Sequence, residues 1–315
     1  MKHIFYQRQI IEDLPPEAFM PDPEAHRRAE VISRPNINFW SDVWRRFRKN
    51  RVAMTGLVII ALLVLLCVFG PLLAPTSYEF TNMKAANLAP SGANWFGTDK
   101  LGRDLWARVW VGGRISLVVG VIGAVLPTIF GVIVGGVSGY FGGKLDMIIM
   151  RVIDIIMCIP SLIYIILIML YLGTGILPIV LAISMTGWMG TARSIRALVM
   201  QLKVREFVLA ARALGSSPMK IILRHLIPNC SGIIVVSLSL HIPSVIFQEA
   251  YLSFIGLGIQ SPMTSWGQLA QIGGEVYRNY PYQLLIPSAV ICLVMLAFNL
   301  FGDGLRDSLD PRLRD

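Results

Sequence analysis

The chain has 315 residues, of which 55% are hydrophobic and 15% are charged, and its formal net charge at pH 7 is +9. A typical soluble domain carries about 25% charged residues, so this composition excludes an ordinary soluble protein. It also leaves no compact soluble domain that would present a basic face, so we expect no nucleic-acid partner.

The chain begins with a polar segment of mixed charge, residues 1–50. The apolar run after it is longer than the ~7–15 residues of a cleavable signal core, which predicts a retained membrane span rather than a secretory signal. Residues 15–35 combine prolines with charged side chains, and we expect this stretch to be irregular.

Six apolar runs follow in chain order. Their bounds are 54–73, 115–140, 148–172, 176–192, 231–254 and 284–301, and the fourth run is the shortest. A helix crosses the bilayer with ~20 mostly apolar residues, and continuous runs favour helices over β-barrel strands, which alternate. Internal glycines and prolines are compatible with close helix packing and with kinks. We therefore predict an all-α integral membrane protein with about six transmembrane helices.

Lys and Arg are distributed unevenly between the connections. Ten lie in residues 1–51 and seven in 193–224, whereas 255–283 contains one. Cytoplasmic connections carry such an excess, so we predict that both termini and the 193–229 connection are cytoplasmic. Residues 75–114 carry five basic residues although the same argument places them outside. The predicted organisation is a cytoplasmic segment over 1–50, a first span over 51–75, an extracytoplasmic loop over 76–112, a core domain over 113–303 and a cytoplasmic tail over 304–315.

A few ionisable groups lie within or beside the predicted spans. Such groups cost about 2.5–3.5 kcal/mol each at the centre of a helix, so they pair or face water. Arg151 and Asp154 lie one turn apart in the third run, with Asp146 before them, and we expect an ion pair at the cytoplasmic interface. Two interpretations stay open for Glu249 in the fifth run: the outer mouth of a polar translocation path, or simple exposure at the interface.

Residues able to bind metals or perform catalysis are few and scattered. The four cysteines show no CxxC spacing and the four histidines no ligand spacing, so we expect neither disulfides nor a metal site. No glycine-rich loop followed by Lys and Ser or Thr occurs, so we expect no nucleotide cofactor in this chain. His241 with Ser237 or Ser239 is the candidate pair for an intramembrane hydrolase, and of these serines Ser237 lies one helical turn away.

The connection between the fourth and fifth runs is basic and has a helical pattern. One face of its first helix carries small and apolar residues: Phe207, Ala210, Ala211 and Leu214. The two central alanines allow another surface to approach the backbone, and Gly215 is placed to end the helix in a left-handed conformation. The alternative interpretation is an amphipathic helix on the lipid surface, although such a face usually carries larger anchors.

A second helix is predicted immediately after this glycine. Ser217 followed by Pro218 is typical of an N-cap with proline at the first helical position. We expect this helix to run over 219–224 and to close at Pro228, which leads into the fifth span. Two short helices joined by a tight turn would form a rigid unit.

The same connection resembles the cytoplasmic EAA signature of permease subunits in ATP-binding-cassette importers. That signature consists of Glu-Ala-Ala, three residues, Gly, nine residues and a hydrophobic segment ending in Pro. The positions that match it at the required spacing are Ala210, Ala211, Gly215 and Pro228. Leu209 stands at the position of the Glu, with Glu206 one turn earlier, and His225 and Ile227 replace the usual Ile and Leu.

This resemblance implies that the coupling loop, residues 196–229, connects the chain to a cytoplasmic ATPase subunit. Its first helix would dock into a cleft on that subunit and pass the closure of the ATPases to the membrane spans. The residues that the resemblance assigns to this coupling are Glu206, Phe207, Ala210, Ala211, Leu214, Gly215 and Pro228.

Further segments resemble the peptide and nickel permeases of this family. They are residues 95–104 (WFGTDKLGRD), 112–120 (GGRISLVVG), 252–258 with 265–267, and the tail 302–311. Considered alone, the first of them predicts a local turn with ion pairs among Asp99, Arg103 and Asp104. The resemblance covers nearly the whole chain from Trp40 onward and is strongest to the C-type subunits of oligopeptide and dipeptide permeases.

The resemblance implies the type I ABC importer permease fold and a non-catalytic subunit that forms half of a translocation path for peptides. The implied partners are a second permease subunit in a heterodimer, two cytoplasmic ATPase subunits that bind ATP and Mg²⁺, an extracytoplasmic peptide-binding protein, and the lipid of a prokaryotic plasma (inner) membrane. Two alternatives stay open. One is a nickel or other small-solute importer of the same architecture; the other is an ion-driven secondary transporter, which would need inverted repeats and buried coupling carboxylates.

Overall fold

The computed structural model describes residues 39–309, so the stretch 15–35 and the end of the predicted tail lie outside the described range. The chain divides into two units, Met1–Asp42 and Val43–Asp315, and the architecture below is that of the second unit. Its α-helices, with the one that crosses the division, are α1 (Phe39–Lys49), α2 (Arg51–Phe69), α3 (Leu105–Phe141), α4 (Gly143–Met157), α5 (Ser161–Leu172), α6 (Ile176–Leu202), α7 (Glu206–Ala213), α8 (Pro218–Ile221), α9 (Ile227–Asn229), α10 (Ser231–Phe254), α11 (Trp266–Val276) and α12 (Tyr282–Leu309).

Five helical segments of the described range are long and apolar enough to cross a membrane: Arg51–Leu73, α3, α6, α10 and α12. The pair α4 and α5 forms a sixth span if it is counted as one broken helix, because its two halves meet at 81°. The predicted number of spans is therefore confirmed, but a continuous third span over 148–172 is wrong. Pro160 explains the break, since proline has no N–H to donate and its ring clashes with the preceding helical turn.

The second span begins ten residues earlier than predicted, which shortens the predicted loop 76–112. Asp104 caps the new start, because its side chain accepts a hydrogen bond from Ala107 N–H at 2.8 Å. Arg108 lies near the start of this helix, and its charge is compensated because its guanidinium pairs with Asp99. Capping and pairing therefore extend the helix into a stretch that its composition assigns to a loop.

Charged residues also extend two later helices beyond their predicted ends. The helix α6 continues to Leu202 and α12 continues to Leu309, whereas the corresponding apolar runs end at 192 and 301. On α6, Arg193 pairs with Asp154. The predicted ion pair of Asp154 with Arg151 is therefore wrong: a partner on a neighbouring helix replaces the one on the same helix.

The helices α3 and α6 pack closely along a row of glycines. A Cβ atom added at Gly131 would lie 2.6 Å from Trp188 O, and one added at Gly139 would lie 2.8 Å from Arg196 O. Small residues at such spacing let two backbones approach within a membrane. We call the end of the bundle that carries residues 203–230 the loop end, and the end that carries residues 74–104 the far end.

Candidate functional site: a coupling loop and a central cavity

The first helix of the coupling loop, α7, attaches to the bundle through two buried side chains. Val208 is 0% exposed and Ala211 is 8% exposed. Both belong to an apolar cluster with the loop-end turns of α3 and α6 and with the segment after α7. Burial of this face fixes the position of α7 against the bundle.

The opposite side of α7 is an apolar surface open to solvent in this chain. Phe207, Ala210 and Leu214 are exposed, and Leu214 is 86% exposed. Ala211 was predicted to share their face, but it points into the cluster. The sequence pattern does not distinguish the buried face of α7 from its exposed face, because small or apolar residues line both. Glu206 is exposed in the first turn of the helix, where a carboxylate interacts favourably with the helix dipole.

The turn after α7 has the predicted glycine geometry. Gly215 adopts φ +76°, and Ser216 N–H donates to Ala211 O at 3.1 Å, which closes the end of the helix. The helix α8 then begins at Pro218, although Ser217 makes no side-chain cap hydrogen bond. The glycine therefore determines the angle between the two halves of the loop.

The second half of the loop differs from the regular helix that was predicted. A π-helical turn, Ile222–Leu226, follows α8, and Ile227 N–H donates to Ile222 O. Pro228 lies inside the next short helix, α9, rather than at a helix end, and its side chain is exposed. Proline removes the N–H that would pair with Arg224 O, so a regular α-helical ladder cannot pass through this position.

Polar contacts connect the coupling loop to the last turn of α3. The guanidinium of Arg212 lies 5.6 Å from the ring centroid of Tyr140, which is a cation–π contact. Lys203 Nζ donates to Gly139 O at 2.8 Å and so interacts with the carbonyl end of the same helix. With Leu209, these side chains border a recess of about 410 Å³. A displacement of α7 would therefore act directly on α3.

The junction between α3 and α4 lies beside these contacts. Gly142 and Gly143 adopt φ +64° and +57°, and this reverses the chain between the two helices. Asp146 accepts hydrogen bonds from Ser138 Oγ and from Arg196 Nη2, each at 2.5 Å. The loop-end turns of α3, α4 and α6 are thus joined by one charged cluster.

A cavity of about 470 Å³ lies at mid-height in the bundle. Its wall is formed by the middle of α3 at Gly123 and Pro127, the break between α4 and α5, the middle of α6, and one face of α10. The polar groups on α10 are His241, Ser244 and Gln248. We did not predict this site, although their i, i+3, i+7 spacing within an apolar span is a signal that the sequence contains.

Glu249 is not on this cavity wall or at an exposed interface. Its side chain is 0% exposed and accepts hydrogen bonds from Ser116 Oγ at 2.9 Å and from Ser253 Oγ at 2.8 Å. Exposure at the interface is therefore contradicted, whereas a role in the translocation path stays a prediction. The neighbouring Gln248 faces the cavity because successive residues of a helix point about 100° apart.

The block 95–104 forms the predicted turn with ion pairs at the far end. Asp99 Oδ2 accepts from Arg103 Nε at 2.8 Å and also pairs with Arg108. Burial raises the pKa of Asp99, but the charges of Arg108 and Arg103 outweigh it and leave this pKa below its ordinary value. Asp104 makes no such pair in the described chain and caps α3 instead.

Comparisons with known sequences identify relatives along almost the whole chain. Residues 128–315 match the family described as the inner membrane component of binding-protein-dependent transport systems. Residues 38–90 match the N-terminal transmembrane domain of oligopeptide transport permease C.

Individual relatives agree with these family matches. The oligopeptide transport system permease protein OppC of Bacillus subtilis is 44% identical over 96% of this chain and all of its own length. The dipeptide transport system permease protein DppC of the same organism is 44% identical over 96% of this chain and 94% of its own length. The OppC protein of Escherichia coli K12 is 41% identical over 88% of this chain and 92% of its own length.

Among solved structures, a chain of the MetNI methionine ABC transporter in inward-facing conformations is similar to this one. The TM-score is 0.51 at 17% identity, and the match covers 63% of this chain and 94% of the other. At that identity the likeness concerns the fold alone. It confirms the predicted ABC importer permease fold.

Proposed function

Because the chain belongs to the family of inner-membrane components of binding-protein-dependent transport systems, we propose that it is one permease subunit of an ATP-driven importer of oligopeptides or dipeptides. The names of its relatives support peptides as the substrate, and they support this substrate over nickel. The chain is a multi-pass membrane protein, and in this proposal its termini and coupling loop face the cytoplasm.

The observation that carries the proposal is the outward face of α7. Phe207, Ala210 and Leu214 form an exposed surface on a helix whose other face is buried against the bundle. A partner protein can bind an exposed apolar helix surface of this kind and displace the helix. Two cytoplasmic ATPase subunits, which bind ATP and Mg²⁺, are the partners in this proposal, one for each permease subunit.

The contacts behind α7 give a route by which the movement reaches the spans. Closure of the ATPases displaces α7, and Arg212 and Lys203 transmit the displacement to the end of α3. The glycine pair at 142 and 143 and the Asp146 cluster carry it to α4 and α6. The two permease subunits then alternate between an outward and an inward opening, and an extracytoplasmic binding protein delivers the peptide.

A charge on the exposed face of α7 tests the proposal. In vesicles containing the complete transporter, we expect Ala210→Glu to abolish ATP-dependent peptide uptake and to reduce co-purification of the ATPase subunits. Ala210→Ser is the matched control and should behave as the unaltered protein, because it adds one small atom at an exposed site. Ala211→Glu is a poorer probe, since its side chain would enter the buried cluster and disturb folding.

Two results would contradict the proposal. One is normal uptake by the Ala210→Glu transporter. The other is uptake by the unaltered protein that needs an ion gradient and no ATPase subunit, which would support a secondary transporter. The hydrolase alternative has no geometric support, since within residues 39–309 no hydrogen bond joins His241 to a serine.

A further inference from the structure

The central cavity is a polar site without fixed charge inside the membrane part of the protein. None of the described residues that line it is Asp, Glu, Lys or Arg. Its polar side chains come from three of its four walls, and polar groups at such depth are costly unless they serve a bound group or water. The cavity therefore requires an explanation other than helix packing.

Most hydroxyl groups in the wall already bond within the chain. Tyr164 Oη donates to Ile156 O at 3.0 Å, Thr186 Oγ1 donates to Ile183 O at 3.3 Å, and Ser244 Oγ donates to Leu240 O at 3.3 Å. His241 and Gln248 differ, because within residues 39–309 neither side chain hydrogen-bonds to another protein group. Gln248 is also exposed, so its amide can hydrogen-bond to a molecule bound in the cavity.

The broken third span adds to the polarity of the same wall. The halves α4 and α5 meet beside the cavity at 81°, and the residues from Ile159 to Ser161 belong to its lining. Irregular backbone at membrane depth is tolerated where it borders a cavity, and interrupted helices of transporters often mark the place where substrate binds. Gly187, which also lines the cavity, lets α6 approach α3 closely, since a Cβ there would lie 3.2 Å from the ring of Pro127.

We propose that this cavity is the place where the subunit contacts the peptide in transit, and that Gln248, with His241, hydrogen-bonds to main-chain amides of the peptide. The inference rests on the proposed function and names the contact site within it. A glutamine amide both donates and accepts, which matches the C=O and N–H groups that every peptide carries. A wall without charged residues neither attracts nor repels a particular peptide side chain, so recognition falls on the main chain.

Thiol labelling of the complete transporter tests whether peptide reaches the cavity. The background carries Cys158→Ala and Cys292→Ala, because these two cysteines are exposed. In it, Ser244→Cys is treated with a charged methanethiosulfonate reagent in vesicles supplied with ATP, binding protein and trialanine. We expect the thiol to react and trialanine to slow the reaction several-fold. The matched control is Phe247→Cys, an exposed residue of α10 that does not line the cavity, whose reaction should not respond to trialanine.

Substitution of the amide tests the hydrogen bond itself. We expect Gln248→Leu, which keeps the size but loses both polar groups, to lower trialanine uptake about two- to tenfold, the effect of one hydrogen bond. Gln248→Asn should retain most of the uptake, and Phe247→Leu should leave it unchanged.

The outcomes separate this site from the proposed function. If trialanine does not slow labelling of Ser244→Cys, the cavity holds lipid or water and the inference is overturned. Normal uptake by Gln248→Leu also overturns it. In both cases ATP-dependent uptake by the unaltered transporter leaves the proposed function intact. If the unaltered transporter shows no ATP-dependent uptake, both proposals fail together.

Discussion

At the far end of the bundle, buried polar groups join α3, α10 and α11, whereas at the loop end α7 is attached mainly by two apolar side chains. Glu249 accepts hydrogen bonds from two helices, and Trp266 Nε1, in a fully buried ring, donates to Val109 O at 2.9 Å. In α7, Val208 and Ala211 are buried and the rest of the helix is exposed.

This difference indicates two separate tasks. A buried and satisfied polar network favours one arrangement of the helices, because each group left without a partner is costly. A helix with an exposed apolar face has a surface that a partner can complete. In the proposed mechanism the far end is therefore a fixed frame, and the loop end is the part that receives a force. If this is correct, substitutions at the far end should lower stability, and substitutions at the loop end should lower coupling.

The largest effect is expected at Asp99. Its carboxylate is buried with Arg108, and both side chains are at most 2% exposed. Asp99→Asn leaves the guanidinium buried without a counter-charge, so we expect a loss of about 3–5 kcal/mol in the free energy of unfolding. Thermal unfolding in detergent measures it. The neighbouring pair of Lys100 with Glu275 is exposed, so Lys100→Gln is the control and should cost at most about 1 kcal/mol.

The same variant has a predicted dependence on pH. Because the pKa of Asp99 is lowered in the folded protein, its contribution is complete above the ordinary aspartate pKa of about 3.9 and is lost as the pH falls below that value. The difference in the free energy of unfolding between the unaltered protein and Asp99→Asn should therefore be constant from about pH 8 to 5 and should decrease below about pH 4. A decrease of this free-energy difference near neutral pH would contradict the prediction.

A smaller loss of stability is expected at Glu249. Glu249→Leu leaves the hydroxyls of Ser116 and Ser253 without their acceptor, so we expect a loss of about 2 kcal/mol. Glu249→Gln keeps the size and one acceptor oxygen and should lose less. Uptake per folded transporter should be unchanged in Glu249→Gln. Slower uptake at unchanged stability would contradict the assignment of separate tasks to the two ends of the bundle, because it would place Glu249 on the translocation path.

The elements that depend on local pattern were predictable, and those that depend on tertiary partners were not. Continuous apolar runs predicted the number of spans, and Gly215 predicted the turn after α7. The start of α3 and the end of α6 were missed because charged residues there pair with residues outside their own helix. The burial of Glu249 was not predicted, since one of its partners, Ser116, lies on a helix distant in sequence. Gln248 was not predicted as a site residue, because the cavity that it lines depends on the break of the third span, a tertiary feature.

The smallest effect is expected at Arg212, and it should concern coupling rather than stability. An exposed cation–π contact contributes about 0.5–1 kcal/mol, so Arg212→Ala should lower the amount of peptide imported per ATP hydrolysed by about two- to fivefold. The thermal midpoint should stay close to that of the unaltered protein. Tyr140→Leu removes the other partner of the contact, and the double variant should be no worse than either single one, because both remove the same interaction. Additive losses of coupling in the double variant would mean that Arg212 acts on the ATPase rather than on α3. A decrease in the thermal midpoint as large as that of Asp99→Asn would mean that the loop end belongs to the fixed frame.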